Sequence, residues 1–170
     1  MQLLRQVIHP SLGSLKGKQF TRETARAIVT KGEQILLLYT ERYDDYSLPG
    51  GGIDNGESIE QGLKRELHEE TGAQQISVNS TLGLYEEYRP WYKDDFDIIH
   101  IRSHCYFCTI GEQLLTPKME HYEQQNGMQP KWVNIQDAIS HNETTMALSA
   151  KQGLSIQRET YLLKEIAKQL

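Results

Sequence analysis

Three glutamates, Glu66, Glu69 and Glu70, fall within barely more than one turn of the stretch "GGGIDNGESIEQGLKRELHEETG" (Gly50–Gly72). Like charges four residues apart on a helix repel by a few tenths of a kcal/mol per pair. The crowding therefore asks for a solvated face, a basic partner or a cation. Taking about 100° per residue with Ile59 at zero, Leu63 lies near 40° and Leu67 near 80°, which marks the buried stripe. Glu66 at about −20° and Glu70 at about +20° overlap that stripe, and Glu69 stands at its border. An isolated carboxylate is costly to bury, so these two side chains require positive charge close by. Arg65 supplies one guanidinium, too little for three carboxylates and Glu57. An all-oxygen set without His or Cys suits Mg²⁺ or Mn²⁺ better than zinc.

The segment ahead of the glutamates completes the pattern. Gly50, Gly51 and Gly52 permit positive φ and close backbone approach, and a glycine-rich turn entering a helix is a common way to cradle phosphate. Ser58 with Gln61 three residues on reads as a capping box, and Gly72 as the stop of a helix of about 13 residues.

The elements that must hold this stretch are readable in outline. "ETARAIVT" (Glu23–Thr30) and "EQILLLYTER" (Glu33–Arg42) read as strands joined by a tight Lys31-Gly32 turn. Further strands are expected near "QISVNSTLGLYEEY" and "DIIHIRSHCYFCTI", with "KWVNIQDAI" as a short strand entering a helix. Apolar positions Ile156, Leu163, Ile166, Ala167 and Leu170 suit an amphipathic helix over about 155–169. Strands mixed with helices define an α/β (α+β) domain. The length, 170 residues, suits one domain.

Composition narrows the function classes. The net charge is −5, and no basic stripe is present, which argues against duplex nucleic acid as partner. The longest apolar run, about Ile35–Tyr39, is far short of the roughly 20 residues that span a bilayer. With no apolar leader at the start, a cytoplasmic location is expected. Cys105 and Cys108 sit three apart on an expected strand and so face opposite ways; they read as packing residues, not as a zinc or redox pair.

Gly51, five residues, Glu57, seven residues and "RELHEETGA" (Arg65–Ala73) together resemble the signature box of the Nudix hydrolases. Seven fixed residues at about 7% usage each would recur by chance in roughly one chain in a million of this length. The preceding strand pair, "LPGG" (Leu48–Gly51) and "KWV" resemble the family layout as well, and residues 1–170 read as a single domain with the box at 51–73. The resemblance implies a mixed β-sheet sandwiched between α-helices and hydrolysis of a nucleoside diphosphate linked to another moiety, by water attack on phosphorus with Mg²⁺ or Mn²⁺. It implies Glu66, Glu69 and Glu70 as metal ligands, Glu57 as a further one, Arg65 as the residue orienting them, and Gly51 and Gly52 as shapers of the loop. Glu70, Glu66, Glu120 and Glu123 are the candidates for general base; the polar surroundings of Glu120 and Glu123 favour a solvated loop for both. Arg26 and Arg42, read as lying on strands leading toward the loop, are the candidate phosphate-binding cations. Tyr88, Trp91 and Tyr92 are candidates for stacking on a base. ADP-ribose, a nucleotide sugar and a noncanonical nucleoside triphosphate fit as small-molecule substrates, with the chain a monomer or homodimer. The alternative is a catalytically inactive nucleotide-binding or sensor module of the same fold, against which the intact box and the lack of an appended basic helix-turn-helix segment weigh.

Overall fold

A computed structural model describes all 170 residues. In chain order the elements are β1 (Leu3–Ile8), β2 (Gln19–Ile28), β3 (Thr30–Lys31), β4 (Gln34–Thr40), β5 (Asp45–Ser47), α1 (Ile59–Thr71), β6 (Ser77–Pro90), β7 (Ile98–Thr109), α2 (His121–Gln125), β8 (Met128–Asn134), α3 (Ile135–Leu148) and α4 (Ile156–Ala167). One sheet has the order β1-β6-β7-β2, with the outer pairs parallel and β6–β7 antiparallel. In the other, β4 pairs antiparallel with β3, β5 and β8.

The expected hairpin is real but shorter than its sequence suggested. Only Thr30–Lys31 and Gln34–Ile35 pair across the turn, where Gly32 takes φ +59°. Upstream, β2 leaves for the first sheet and runs parallel to β7. The chain thus changes sheet at Val29, whose carbonyl accepts from Leu36 N at 2.9 Å.

Two apolar clusters bind the layers. One holds Leu37, Leu48, Tyr85 and Cys105 with Leu162, Leu163 and Ile166 of α4; the other packs Leu63 and Leu67 of α1 against Ala25, Ala27, Leu36 and Cys108. Cys105 and Cys108 are free, buried thiols in different clusters, as the strand geometry requires. Leu4 and Val7 of β1, a strand not expected from the sequence, pack against the first cluster. No helix is long and apolar enough to cross a membrane.

Helix α1 begins and ends where its local signals place it. Ser58 Oγ accepts from Gln61 N at 3.1 Å, and Gln61 Oε1 accepts from Ser58 N at 2.8 Å. Gly72 closes the helix at φ +74°, donating to His68 O at 2.8 Å. Such caps are worth about 1 kcal/mol each, so local signals set both ends of α1.

Candidate active site

The loop Pro49–Ile53 lies alongside β2. Ala27 N donates to Pro49 O at 2.8 Å, Ala25 N to Gly51 O at 3.0 Å, and Ile53 N to Glu23 O at 3.1 Å. Gly50 takes φ +137°, and a Cβ there would run into the Ala25 carbonyl, so glycine is required on both counts. From below, Arg26 Nη1 donates to Gly50 O at 2.5 Å. Arg26 therefore braces the loop backbone; its Nε is buried without a partner.

The opposite wall is the face of α1. Glu70 is 4% exposed, and its Oε2 accepts from Gly50 N at 2.6 Å. Burial drives its carboxyl well above the ordinary carboxylate range, with Glu66 and Glu123 adding to the effect. Burial likewise raises Glu66, despite the hydrogen bond its Oε1 takes from Arg65 Nη1 at 2.9 Å. A Cβ on Gly51 would sit 2.6 Å from Glu66 Oε1, so this glycine leaves the carboxylate its room.

Arg65 is the organiser of the box. Its Nε and Nη2 grip Glu57 at 2.7 and 2.9 Å in a bidentate pair, and Nη2 also reaches Gly52 O at 3.0 Å. The Arg65 hydrogen bonds, helped by Asp54 N, bring Glu57 down to about 2. Glu57 thus faces Arg65, and Glu69 lies 3.5 Å from Arg65 Nη1 with 35% of its side chain exposed. Neither joins the carboxylate cluster.

The third member of that cluster comes from elsewhere. Carboxylate oxygens of Glu66, Glu70 and Glu123 lie within 4.8 Å of one another. Glu123 is 4% exposed, which corrects the solvated-loop reading for this residue, whereas Glu120 is exposed. The physical reason is long-range. Leu115 N donates to Gly72 O and Lys118 N to Glu69 O, at 2.8 and 2.7 Å, laying the 111–120 segment along the end of α1. Helix α2 follows directly, and Glu123 Oε2 caps it by accepting from Glu120 N at 2.8 Å.

Arg42 stands apart from this site. Strand β4 ends at Thr40, and Thr40 O accepts from Tyr43 N and Asp44 N to turn the chain. Arg42 is therefore on an exposed turn, not a strand, and donates to Asn126 Oδ1 at 3.1 Å. Trp91 packs on Phe20 and Tyr92, and Tyr88 stacks on His100 at 4.2 Å, away from the cleft. The cation the sequence did not single out is Arg22, which stands over Gly52, its Nη2 3.1 Å from where a Cβ would be.

Two adjoining clefts of about 370 and 420 Å³ share Arg22, Gly50–Gly52, Glu70 and Glu123. The first is also lined by Leu38, Thr40, Tyr43, Asp45, Tyr122 and Met128. Asp45, 4% exposed, makes no hydrogen bond through its carboxylate, and burial with Glu159 nearby pushes it up to about 6. A folded-state value above the ordinary 3.8 means that the native chain holds this proton more tightly than the unfolded one. Stability from this group is full below about pH 4 and lost as pH rises through about 6, by about 3 kcal/mol in all. Asp45→Asn should therefore raise the Tm at pH 7.5, and the gain should vanish near pH 4; thermal denaturation followed by circular dichroism at both pH values checks this.

The NUDIX domain family matches residues 20–154, and the chain belongs to the Nudix family. It is 33% identical over 76 residues to a putative 8-oxo-dGTP diphosphatase of Bacillus subtilis, covering 45% of this chain and 49% of that one. It is 35% identical over 86 residues to an RNA pyrophosphohydrolase of Ruthia magnifica, covering 51% and 46%. The chain thus spans about half the length of these curated relatives. Among solved structures, a MutT protein of Bacillus halodurans superposes with a TM-score of 0.56 at 19% identity, over 85% of this chain and 81% of that one. A NUDIX hydrolase of Nitrosomonas europaea does so with 0.56 at 17%, over 88% and 91%. Both support the sandwich fold expected from the sequence.

Proposed function

We propose that this chain hydrolyses a phosphoric anhydride bond in a nucleoside diphosphate linked to another moiety, by attack of water on phosphorus with Mg²⁺ or Mn²⁺. The observation that carries this reading is the approach of Glu66, Glu70 and Glu123 beside the glycine loop Gly50–Gly52. The donor set fits a hard cation: all oxygens, two of the three residues almost fully buried, and no His or Cys. Glu70 Oε2 is taken by Gly50 N and Glu66 Oε1 by Arg65, which leaves each residue a second oxygen free of chain donors. When bound, the cation would neutralise phosphate charge and acidify a coordinated water.

The chain's own groups divide the remaining work. Arg65 fixes Glu57 and Glu66 relative to the loop, and Arg26 fixes the loop relative to β2. Arg22 is the cation best placed to meet a phosphate at Gly52. Glu66, Glu70 and Glu123 each present a carboxylate that can accept the proton of an attacking water; Glu69 and Glu57, turned to Arg65, serve the site from its rim. We further read residues 1–170 as one domain, since Leu4 of β1 and Leu163 of α4, both outside the family match, share one core cluster.

The relatives named above suggest a noncanonical nucleoside triphosphate such as 8-oxo-dGTP, or a 5′-pyrophosphate end of RNA, alongside ADP-ribose and nucleotide sugars. A phosphate- and pyrophosphate-release assay over such a panel with Mg²⁺ or Mn²⁺ tests the proposal. Turnover of at least one compound, abolished by EDTA, is expected. Binding of a nucleotide without turnover of any compound would instead establish a sensor module.

A further inference from the structure

Two asparagines of the chain are followed by glycine, Asn55 in the box loop and Asn126 at the end of α2. Such a pair is chemically weak, because glycine has no side chain to shield its nitrogen. That nitrogen can attack the side-chain carbonyl of the asparagine before it. The fold protects one pair and not the other. Asn126 Oδ1 accepts from Arg42 Nη1 at 3.1 Å, and Gly127 N donates to Gln124 O at 3.1 Å. The amide and the nitrogen that would attack it are both occupied.

Asn55 and Gly56 stand free. They are the central residues of a turn that Glu57 N closes by donating to Asp54 O at 3.1 Å, and both are exposed. The Asn55 side chain makes no hydrogen bond, and Gly56 N has no acceptor in the chain. Gly56 takes φ +87°, so the turn itself requires the glycine that leaves this nitrogen open. The same turn fastens the box. Asp54 N donates to Glu57 Oε2 at 2.9 Å, and Arg65 grips both oxygens of that carboxylate. The path from Asp54 to Glu57 must keep its length for Glu57 to meet its own turn and Arg65 together.

We propose that Asn55 is a site of spontaneous deamidation, and that its rearranged product releases Glu57 from Arg65. Gly56 N forms a bond to Asn55 Cγ while the Cγ–Nδ2 bond breaks. The Gly56 proton passes through solvent to the leaving amine, which departs as ammonia. Water then opens the cyclic imide, one water being consumed for each ammonia released. Opening at Cγ leaves an ordinary aspartate. Opening at the backbone carbon routes the chain through Cβ and Cγ, giving isoaspartate and a longer backbone. The added atom parts Asp54 O from Glu57 N and carries Glu57 off the Arg65 fork. Solvent water is the sole co-reactant.

The test stores the purified chain for several days in warm, mildly alkaline buffer and maps its peptides by mass spectrometry. Amide-to-acid exchange and isoaspartate are read at Asn55 and Asn126, in the folded chain and in urea. Folded, Asn55 should react on the order of 10-fold or more faster, since Asn126 must first break two hydrogen bonds. In urea the two should react within a few-fold of each other. Equal rates in the folded chain would overturn the assignment of Asn55. Stored wild type should lose turnover and a few degrees of Tm in step with its isoaspartate content. Asn55→Ser, which cannot form the imide, should keep both. Asn55→Asp, with the new charge but the ordinary backbone, should stay close to fresh wild type. Isoaspartate at position 55 with an unchanged Tm would overturn the release of Glu57. The mass and melting measurements need no substrate, so they stand or fall apart from the pyrophosphohydrolase reading.

Discussion

Glu70→Gln should lower kcat by at least about 10³-fold, equivalent to about 4 kcal/mol of barrier, while leaving the fold intact. The substitution keeps an oxygen for the Gly50 N–H and removes only the charge. Glu70 is the most buried of the two α1 members of the cluster, and its carboxylate shares a space within 4.8 Å with those of Glu66 and Glu123. In the cation-free chain that charge is a liability: it is desolvated and faces two like charges. Glu70→Gln should therefore raise the Tm in EDTA by a few degrees, at about 2–4 °C per kcal/mol for a chain of this size. Mg²⁺ at about 100 times its Kd should stabilise wild type by about 2.7 kcal/mol and the variant by far less. Differential scanning calorimetry with and without Mg²⁺, beside the release assay, checks all three. A variant that lost activity and also lost stability in EDTA would show that Glu70 is a structural residue and not a cation ligand.

The same pair of effects explains why this part of the chain was legible in its sequence. Helix α1 carries its own punctuation, a Ser58–Gln61 box and a Gly72 stop, and its apolar positions fix which glutamates turn inward. All of that is local to the stretch Ser58–Gly72. Glu123 was not legible in this way. Its burial depends on backbone bonds from Leu115 and Lys118 to the end of α1, pairings across more than forty residues that leave no local pattern. A Glu120-x-x-Glu123 capping pair was the one signal available, and it marks a helix start, not a site. Asp45 was hidden for a related reason. "YDDYSLPGG" is rich in turn residues, and the three-residue strand β5 within it turns Asp45 inward only because β4 is alongside. Arg42 fails in the opposite direction: the apolar run before it reads as strand, but Asp44 at φ +52° ends the strand at Thr40.

The largest stability effect is expected far from the box, in a network that no motif marks. Arg158 on α4 is 5% exposed and donates to Glu87 Oε2 at 2.6 Å and to Glu159 Oε1 at 2.8 and 2.9 Å. Burial alone would raise Glu87; Arg158 and Arg89 outweigh it and hold the carboxyl below its ordinary range. Arg158→Leu leaves Glu159, 0% exposed, without a guanidinium and Glu87, 6% exposed, with Arg89 alone, a change that costs about 3–5 kcal/mol in buried pairs. Since Glu87 titrates low while paired, its contribution is present at neutral pH and is lost as pH falls through its folded value. The deficit of the variant should therefore be greatest at pH 7 and shrink in acid, where the orphaned carboxylates can protonate. Urea denaturation at pH 7 and pH 4.5 measures the difference. Glu87→Gln/Arg158→Leu/Glu159→Gln should recover part of the loss, because it leaves no buried carboxylate unpaired and only Arg89, which still donates to Leu154 O, without its ionic partner. The network also reaches the site: Glu159 Oε2 accepts from Leu48 N at 2.9 Å, two residues before Gly50. The triple variant keeps an acceptor at position 159, so it should hold the loop and its turnover; Arg158→Leu, with Glu159 left buried without its guanidinium, should lose turnover together with stability.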